Sequence, residues 1–366
     1  MSDKHIDLTQ KYSTWGDKLL QHTDVLYSLQ VEKILKPITI QLAPNEMCDS
    51  DCPFCSVAGR PLKKYLPFAK IKKLLDDFKV LGAKSVEITG GGNPLLYRDK
   101  ETKETINDIV RYASSKGFDV GIITNSHDLK YLNEDVYPLL SWVRVSLIQL
   151  DEGKNPEDYN FRGFPYDKLG FSYIIYETNG QPDELSRTNK AYAGTTEETI
   201  KRIVRLVELH PNIKFVRIAG NCLIKGNNKI IRDKFKAIID ELDKHQKIFI
   251  KDIDENDGPF NDGCYVGAIR PYIAANPHEG DYQVYICTSH VLNKRVYDLE
   301  YSIGPVDDVL GIWDRMSKSY QEKGYPYEVK CNKGEGWETT CKYCYYKFNN
   351  KLLHTVAKPM PDKNFP

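Results

Sequence analysis

The sequence predicts an α/β protein built of parallel βα repeats, and three observations lead there. Six short runs rich in β-branched and aromatic residues alternate with stretches whose apolar positions recur at helical spacing. That rhythm holds from residue 37 to about residue 250, as a parallel sheet covered by helices requires. A cysteine group, a glycine run and Thr124-Asn125 each fall just past a strand end, where such folds carry their chemistry.

Residues 1–36 are polar with scattered apolar positions (Trp15, Leu19, Leu20, Val25, Leu26, Leu29, Ile34), which predicts one or two short helices. Residues 37–42 read as the first strand and run straight into the cysteine group. Phe68, Ile71, Leu74, Leu75, Phe78 and Leu81 then share one helical face. Strands follow at 85–89, ending in Gly90-Gly91-Gly92, and, after a helix over 106–112, at 119–124. Further strands are expected at 142–147 and 171–176. Thr195 and Glu198 have capping-box spacing ahead of Ile200, Ile203, Val204 and Val207. A sixth strand over 215–219 and a helix through Phe235, Ile238, Ile239 and Leu242 complete the repeats. The acidic, turn-rich stretch 252–263 marks a boundary. Beyond it come two strand-like runs, 265–273 and 282–287, a helix near 307–316, and a cysteine-rich end.

The division expected is an N-terminal helical extension (1–36), a βα domain (37–250), a smaller C-terminal domain (251–350) and a tail (351–366). With 366 residues, 41% of them hydrophobic, the chain can bury a substantial core. Lys+Arg and Asp+Glu both number 51, and a net charge of zero argues against a sequence-wide grip on nucleic acid. No apolar run approaches a membrane span, and the first residues lack the apolar segment of a secretory signal. A soluble, cytoplasmic protein is the expectation. There, nine cysteines in two tight groups favour metal or cluster ligation over disulfides.

Cys48-Asp49-Ser50-Asp51-Cys52-Pro53-Phe54-Cys55 is a C-x3-C-x2-C array. Three thiolates so close can hold three corners of an iron–sulfur cube and leave the fourth iron open. Zinc is the chemical rival, and would need a distant fourth ligand. The array, its aromatic Phe54 and its place after a strand resemble the radical S-adenosylmethionine (radical SAM) enzymes. That resemblance implies a partial (β/α)6 TIM-like barrel over roughly 37–250. It also implies a [4Fe-4S] cluster on Cys48, Cys52 and Cys55 whose open iron binds SAM, which is cleaved reductively to a 5′-deoxyadenosyl radical. A reducing donor such as flavodoxin or ferredoxin is implied as a partner. Gly91-Gly92-Asn93-Pro94 is similar to the family's Gly-Gly-Glu-Pro beside the SAM amino group, with Asn93 departing from it. Ser146 resembles the fourth-strand serine at the SAM carboxylate or ribose, Arg162 the arginine pairing with that carboxylate, and 217–220 the segment near the adenine.

Cys264, Cys287, Cys331, Cys341 and Cys344 share the last hundred or so residues. A cysteine before a β-hairpin, another at its end, Ile303-Gly304, a helix bearing Trp313 and the C-x2-C at 341–344 resemble the SPASM and shorter twitch extensions of these enzymes. The resemblance implies a second [4Fe-4S] cluster on Cys264, Cys287, Cys341 and Cys344, with Cys331 surplus; zinc stays open here too. Cys222 reads as a buried, inert thiol, and His278 and His290 as ordinary polar histidines.

The function expected is hydrogen-atom abstraction from a small polar metabolite of sugar, aminocyclitol or nucleotide type, an oxidation assisted by the second cluster. The short segment before the first strand, too small for a recognition domain, tilts the reading away from macromolecules. Radical modification of a peptide, or of a base in RNA or DNA, is the alternative, and a zinc-organised binding protein the third. No side chain is singled out as a catalytic acid or base.

Overall fold

The computed structural model describes residues 8–13, 15–178, 180–181, 187–188, 190–221, 228–251, 263–276, 281–288, 302–327 and 346–358. In chain order the described strands are β1 (Thr39–Leu42), β2 (Ser85–Ile88), β3 (Asp119–Thr124), β4 (Leu140–Ser146), β5 (Leu169–Ile175), β6 (Phe215–Gly220), β7 (Ile248–Lys251), β8 (Tyr272–Ala275), β9 (Tyr282–Tyr285) and β10 (Ser302–Pro305). They form one sheet in the order β10-β9-β8-β1-β2-β3-β4-β5-β6-β7. Strands β1 to β7 are parallel neighbours in sequence order, the α/β arrangement expected of a partial TIM-like barrel.

Strand alternation sorts the side chains. Val86, Ile88, Val143, Val145, Val216 and Ile218 are buried in the continuous hydrophobic core, together with Ile71, Leu74, Leu75 and Phe78 of the Phe68–Val80 helix. The alternate positions carry Gln41, Glu87, Arg144 and Arg217, so this face of the parallel sheet is polar. At the carboxyl ends of the strands the chain leaves in the loops that hold the predicted site.

The predicted hairpin exists, and it continues the barrel sheet. β8 pairs in parallel with β1, matching Gln41 with Tyr272, while β9 and β10 extend the sheet antiparallel. The Val309–Lys323 helix lays Trp313 against Phe78, ring centroids 5.0 Å apart, and so joins this region to the first barrel helix. The N-terminal segment packs here as well: Leu19, Val25 and Leu29 are buried, and the Leu29 carbonyl accepts from Tyr320 Oη at 2.8 Å.

Four sequence expectations need correction. The 265–273 run is a helical turn, Val266–Ile269, before β8 begins. A seventh parallel strand, β7, follows the six predicted. Residues 351–357 belong to a helix, Lys347–Ala357, whose buried face includes Asn349 and Asn350 beside Leu353; those amides mask its apolar periodicity. The capping box is formed by Thr196 and Thr199, one residue on, because the Thr195 hydroxyl is engaged by the Tyr176 backbone N–H at 3.1 Å and lies 3.2 Å from Tyr173 Oη. Residues 252–262 of the boundary stretch, residues 277–280 of the hairpin turn, and Cys222, His278, His290, Cys331, Cys341 and Cys344 lie outside the described residues. No helix among the described residues is long and apolar enough to cross a membrane.

Candidate active site

The cysteine loop leaves β1 and is braced by the ends of three neighbouring strands. From beyond β3, Asn125 Nδ2 donates to Ser50 Oγ at 2.6 Å and Asp49 Oδ1 at 3.0 Å, and lies 4.0 Å from Cys48 Sγ. From beyond β4, Glu152 accepts from Ser50 Oγ at 2.9 Å and from the Asp51 N–H at 3.4 Å. From beyond β2, Asn93 Nδ2 donates to Asp49 Oδ1 at 3.2 Å. Arg60 closes the far side: its Nε donates to the Glu46 carbonyl at 2.8 Å and its Nη1 to Cys55 Sγ at 3.3 Å. Arg187 reaches in from the β5–β6 connection, pairing with Asp51 at 3.3 Å and donating to the Cys48 and Ser50 carbonyls.

The donor set fits an iron–sulfur cube. Burial pushes the Cys48 thiol up, and burial followed by the negative charge of Cys55, Cys48 and Glu152 pushes Cys52 well up. The three sulfurs therefore lie within electrostatic reach of one another, and a cationic iron site would compensate the thiolates there. Among the described residues no three His, Cys, Asp or Glu side chains gather closely enough to hold a single metal ion. A cluster is wider than an ion, so its ligands stand further apart, and three thiols along one short loop match it.

The glycine run is a packing requirement of the same loop. A Cβ on Gly91 would lie 1.5 Å from Glu46 Oε2, and one on Gly92 1.8 Å from the Met47 carbonyl oxygen. The Asn93 N–H then donates to that carbonyl at 2.7 Å. The Asn93 side chain also donates to Ser126 Oγ at 3.0 Å and accepts from the Leu95 N–H at 3.1 Å and Thr124 Oγ1 at 2.8 Å. A glutamate here would lose both donated bonds and set a second carboxylate against Asp49. Asn93 is thus fully engaged within the protein, as an organiser of the loop.

Ser146 ends β4 in register with Ser172 of β5, on the same face as Arg144. Arg162 is not brought to the cysteine loop. It is exposed at φ 49°, and lines a surface groove with Lys130, Glu134 and Tyr137. Asn125 stands where the sequence placed it, at a strand end beside the loop, whereas Glu152, Arg60 and Arg187 are lone polar residues that only the fold assembles.

Sequence reading also missed a buried carboxylate beside the loop. Asp151 accepts from Tyr173 Oη at 2.9 Å and Tyr176 Oη at 3.1 Å, and the Tyr176 ring lies 5.0 Å from that of Phe54. Burial raises Asp151 from 3.8 to about 6, against the pull of the tyrosine hydroxyls. A carboxyl harder to ionise when folded stabilises the fold below its unfolded pKa and loses that contribution as pH rises through about 6. Asp151→Asn should therefore flatten the profile, abolishing roughly 1–2 kcal/mol of the pH-dependent loss that the wild type shows between mildly acidic and neutral pH, read from urea unfolding across that range. Parallel pH profiles for the two proteins would contradict this.

Of the proposed second set, Cys264 and Cys287 are buried. Asn350 Nδ2 lies 3.8 Å from Cys264 Sγ, and Tyr346 Oη lies 3.3 Å from the hydroxyl of Thr288, the residue after Cys287. The chain just past Cys344 thus returns to both cysteines.

A strand-end loop of three thiols is braced by the loops of a parallel α/β barrel, and the stretch that holds it, residues 43–151, matches the family described as the Radical SAM superfamily. No curated protein matches the chain. Among solved structures it is similar to Streptococcus suis SuiB bound to precursor peptide SuiA, at 14% identity over 84% of this chain and 72% of that one, with a TM-score of 0.47. It is similar to anSMEcpe with bound AdoMet and Cp18Cys peptide (12% identity, 88% and 96% covered, TM-score 0.47). BtrN in complex with AdoMet and 2-DOIA follows at 14%, 79% and 87%, and 0.35. These likenesses are too distant to bear on substrate or reaction.

Proposed function

We propose that this protein is a radical SAM enzyme that abstracts hydrogen from a small polar metabolite of sugar, aminocyclitol or nucleotide type, in an oxidation. Cys48, Cys52 and Cys55 hold one [4Fe-4S] cluster, and Cys264, Cys287, Cys341 and Cys344 a second; flavodoxin or ferredoxin supplies the electron. The observation that carries the reading is the three-thiol loop, clamped by Asn125, Glu152 and Arg60 at the mouth of the barrel. The chemistry supplied when cluster and SAM are bound is reductive cleavage of SAM to methionine and a 5′-deoxyadenosyl radical that abstracts hydrogen.

The protein's own contribution is positional. Arg60 donates a charge-assisted hydrogen bond to Cys55 Sγ, and hydrogen bonds to sulfur are one determinant of a cluster's potential. Gly91 and Gly92 let the β2 loop close on residues 46–47, and Ser146 stands at the end of β4 on the lumen side. The Phe54 and Tyr176 rings pack beside the loop with centroids 5.0 Å apart. The polar face of β1, β2, β4 and β6 suits a small polar substrate better than an apolar one.

The test is SAM cleavage by anaerobically reconstituted protein with a chemical reductant, alone and with a small-metabolite fraction, a peptide pool or nucleic acid. Stimulation by metabolites is the expected result. Stimulation by peptide or nucleic acid alone would overturn the substrate class, and absence of cleavage under all conditions would overturn the enzyme assignment.

A further inference from the structure

The inside of the barrel is layered in a way that the cluster and SAM do not require. Its floor is aromatic. Trp142 lies over Gly121, where a Cβ would come within 2.3 Å of the indole, and Phe215 lies over Gly170, where a Cβ would meet its ring at 2.8 Å. Register places these pairs side by side across neighbouring strands, Gly121 with Trp142 and Gly170 with Phe215. Two residues further along the same faces come Arg144 and Arg217, and Arg217 is level with Ser172, itself level with Ser146.

Arg144 and Arg217 each keep a buried Nε–H without a hydrogen-bond partner. Among the described residues one carboxylate, Glu87, answers them, and it is already engaged by Gln41 Nε2 at 2.8 Å and Arg270 Nη2 at 2.9 Å. Three guanidiniums therefore share one carboxylate, and Arg144 is pushed down to about 9 by burial and then by the charge of Arg217. Trp142, Arg144, Phe215 and Arg217 are each only partly buried although they lie on interior strands; the Arg144 guanidinium lies over the Trp142 ring at 5.8 Å, and Tyr12 packs on Phe215 with ring centroids 4.5 Å apart. The interior of a barrel with no ligand to receive is filled by branched apolar side chains. Arginines held deep with unused donors, above an apolar floor, have the composition of a ligand pocket.

We propose that Arg144 and Arg217 form an anion site that holds a carboxylate or phosphate group of the substrate, one rung below the mouth that carries the cysteine loop. Guanidinium forks suit both groups, and the aromatic floor of Trp142 and Phe215 receives the apolar part of the molecule. Naming the ligand as the substrate rests on the proposed function; the anion site itself does not.

The test is the thermal unfolding midpoint of the full chain at fixed ionic strength, with chloride exchanged for inorganic phosphate or for acetate, and with no reductant. One of the two anions should raise the midpoint relative to chloride, and which one does so separates a phosphate from a carboxylate substrate. Arg144→Gln and Arg217→Gln should each weaken the apparent affinity by about tenfold or more. Glu87→Gln, which removes the competing carboxylate, should strengthen it, an opposite sign that general destabilisation does not produce. The effect should persist with saturating SAM present. No anion-specific shift in the wild type, or a shift unaltered in both arginine variants, would overturn the site; loss of the shift on adding SAM would assign these arginines to SAM instead. An intact anion response in a protein that cleaves no SAM would leave the pocket standing and the radical assignment refuted.

Discussion

Replacing any one of Cys48, Cys52 and Cys55 with alanine is expected to reduce SAM cleavage by at least about a thousandfold, some 4 kcal/mol of barrier. The proposed cube would use three protein thiolates to leave one iron open, and the loop contains no fourth cysteine to stand in. The loop itself should survive the change. Its bracing runs through Ser50, Asp49 and Asp51 to Asn125, Asn93, Glu152 and Arg187, so a variant that folds and fails to cleave SAM isolates the thiol. Cys264→Ala is the matching comparison. It lies in the proposed second set, and should leave SAM cleavage measurable while impairing substrate turnover. Near-wild-type cleavage in the Cys52→Ala variant would contradict the assignment.

The second large effect is steric. Gly92→Ala should destabilise the protein by about 3 kcal/mol and block iron uptake, because its Cβ would sit 1.8 Å from the Met47 carbonyl oxygen, a backbone atom one residue before Cys48. Relief requires the segment that presents the first thiol to move, and with it the Asn93 N–H bond to Met47 at 2.7 Å. Gly82→Ala supplies the contrast. Its neighbourhood is open and its obstacle is φ +94°, so it should cost about 1 kcal/mol and leave iron uptake intact. Urea unfolding and iron content on both variants check the pair; equal effects would show that the clash is absorbed locally.

What was legible in the sequence follows what each signal depends on. The six predicted strands were marked by β-branched runs between amphipathic helices, and β3 occupies Asp119–Thr124 as read. β7 is as short as β1 and β2, but in the sequence it leads into an acidic, turn-rich stretch and not into an amphipathic helix, so it lacked the βα rhythm that marked the others; the Lys347–Ala357 helix turns amides inward, where the apolar pattern should be. Of the site, the cysteine loop and the glycine run were visible because their chemistry is local in sequence. Asn125 was legible only as a strand-end position, and Glu152, Arg60 and Arg187 were not legible, since a lone polar residue has no pattern until the fold brings it to a loop. Arg162 shows the converse: matched by resemblance alone, it lies on an exposed turn against Tyr137. The lumen did leave a trace. A charge between apolar residues, as in Val86-Glu87-Ile88 and Val143-Arg144-Val145, is unusual for a parallel strand buried on both faces, and signals that one face borders something other than packed core.

The central claim is that the first three cysteines hold one iron–sulfur cluster, separate from whatever the C-terminal cysteines hold. Iron and acid-labile sulfide per chain, measured after anaerobic reconstitution in the wild type and in a Cys48→Ala/Cys52→Ala/Cys55→Ala triple variant, tests it most directly. The expected result is about eight irons falling to about four, with sulfide in step. About four falling to none would keep the first cluster and leave the C-terminal thiols to zinc or packing. Iron unchanged by the triple substitution, or stoichiometric zinc in its place, would contradict the account.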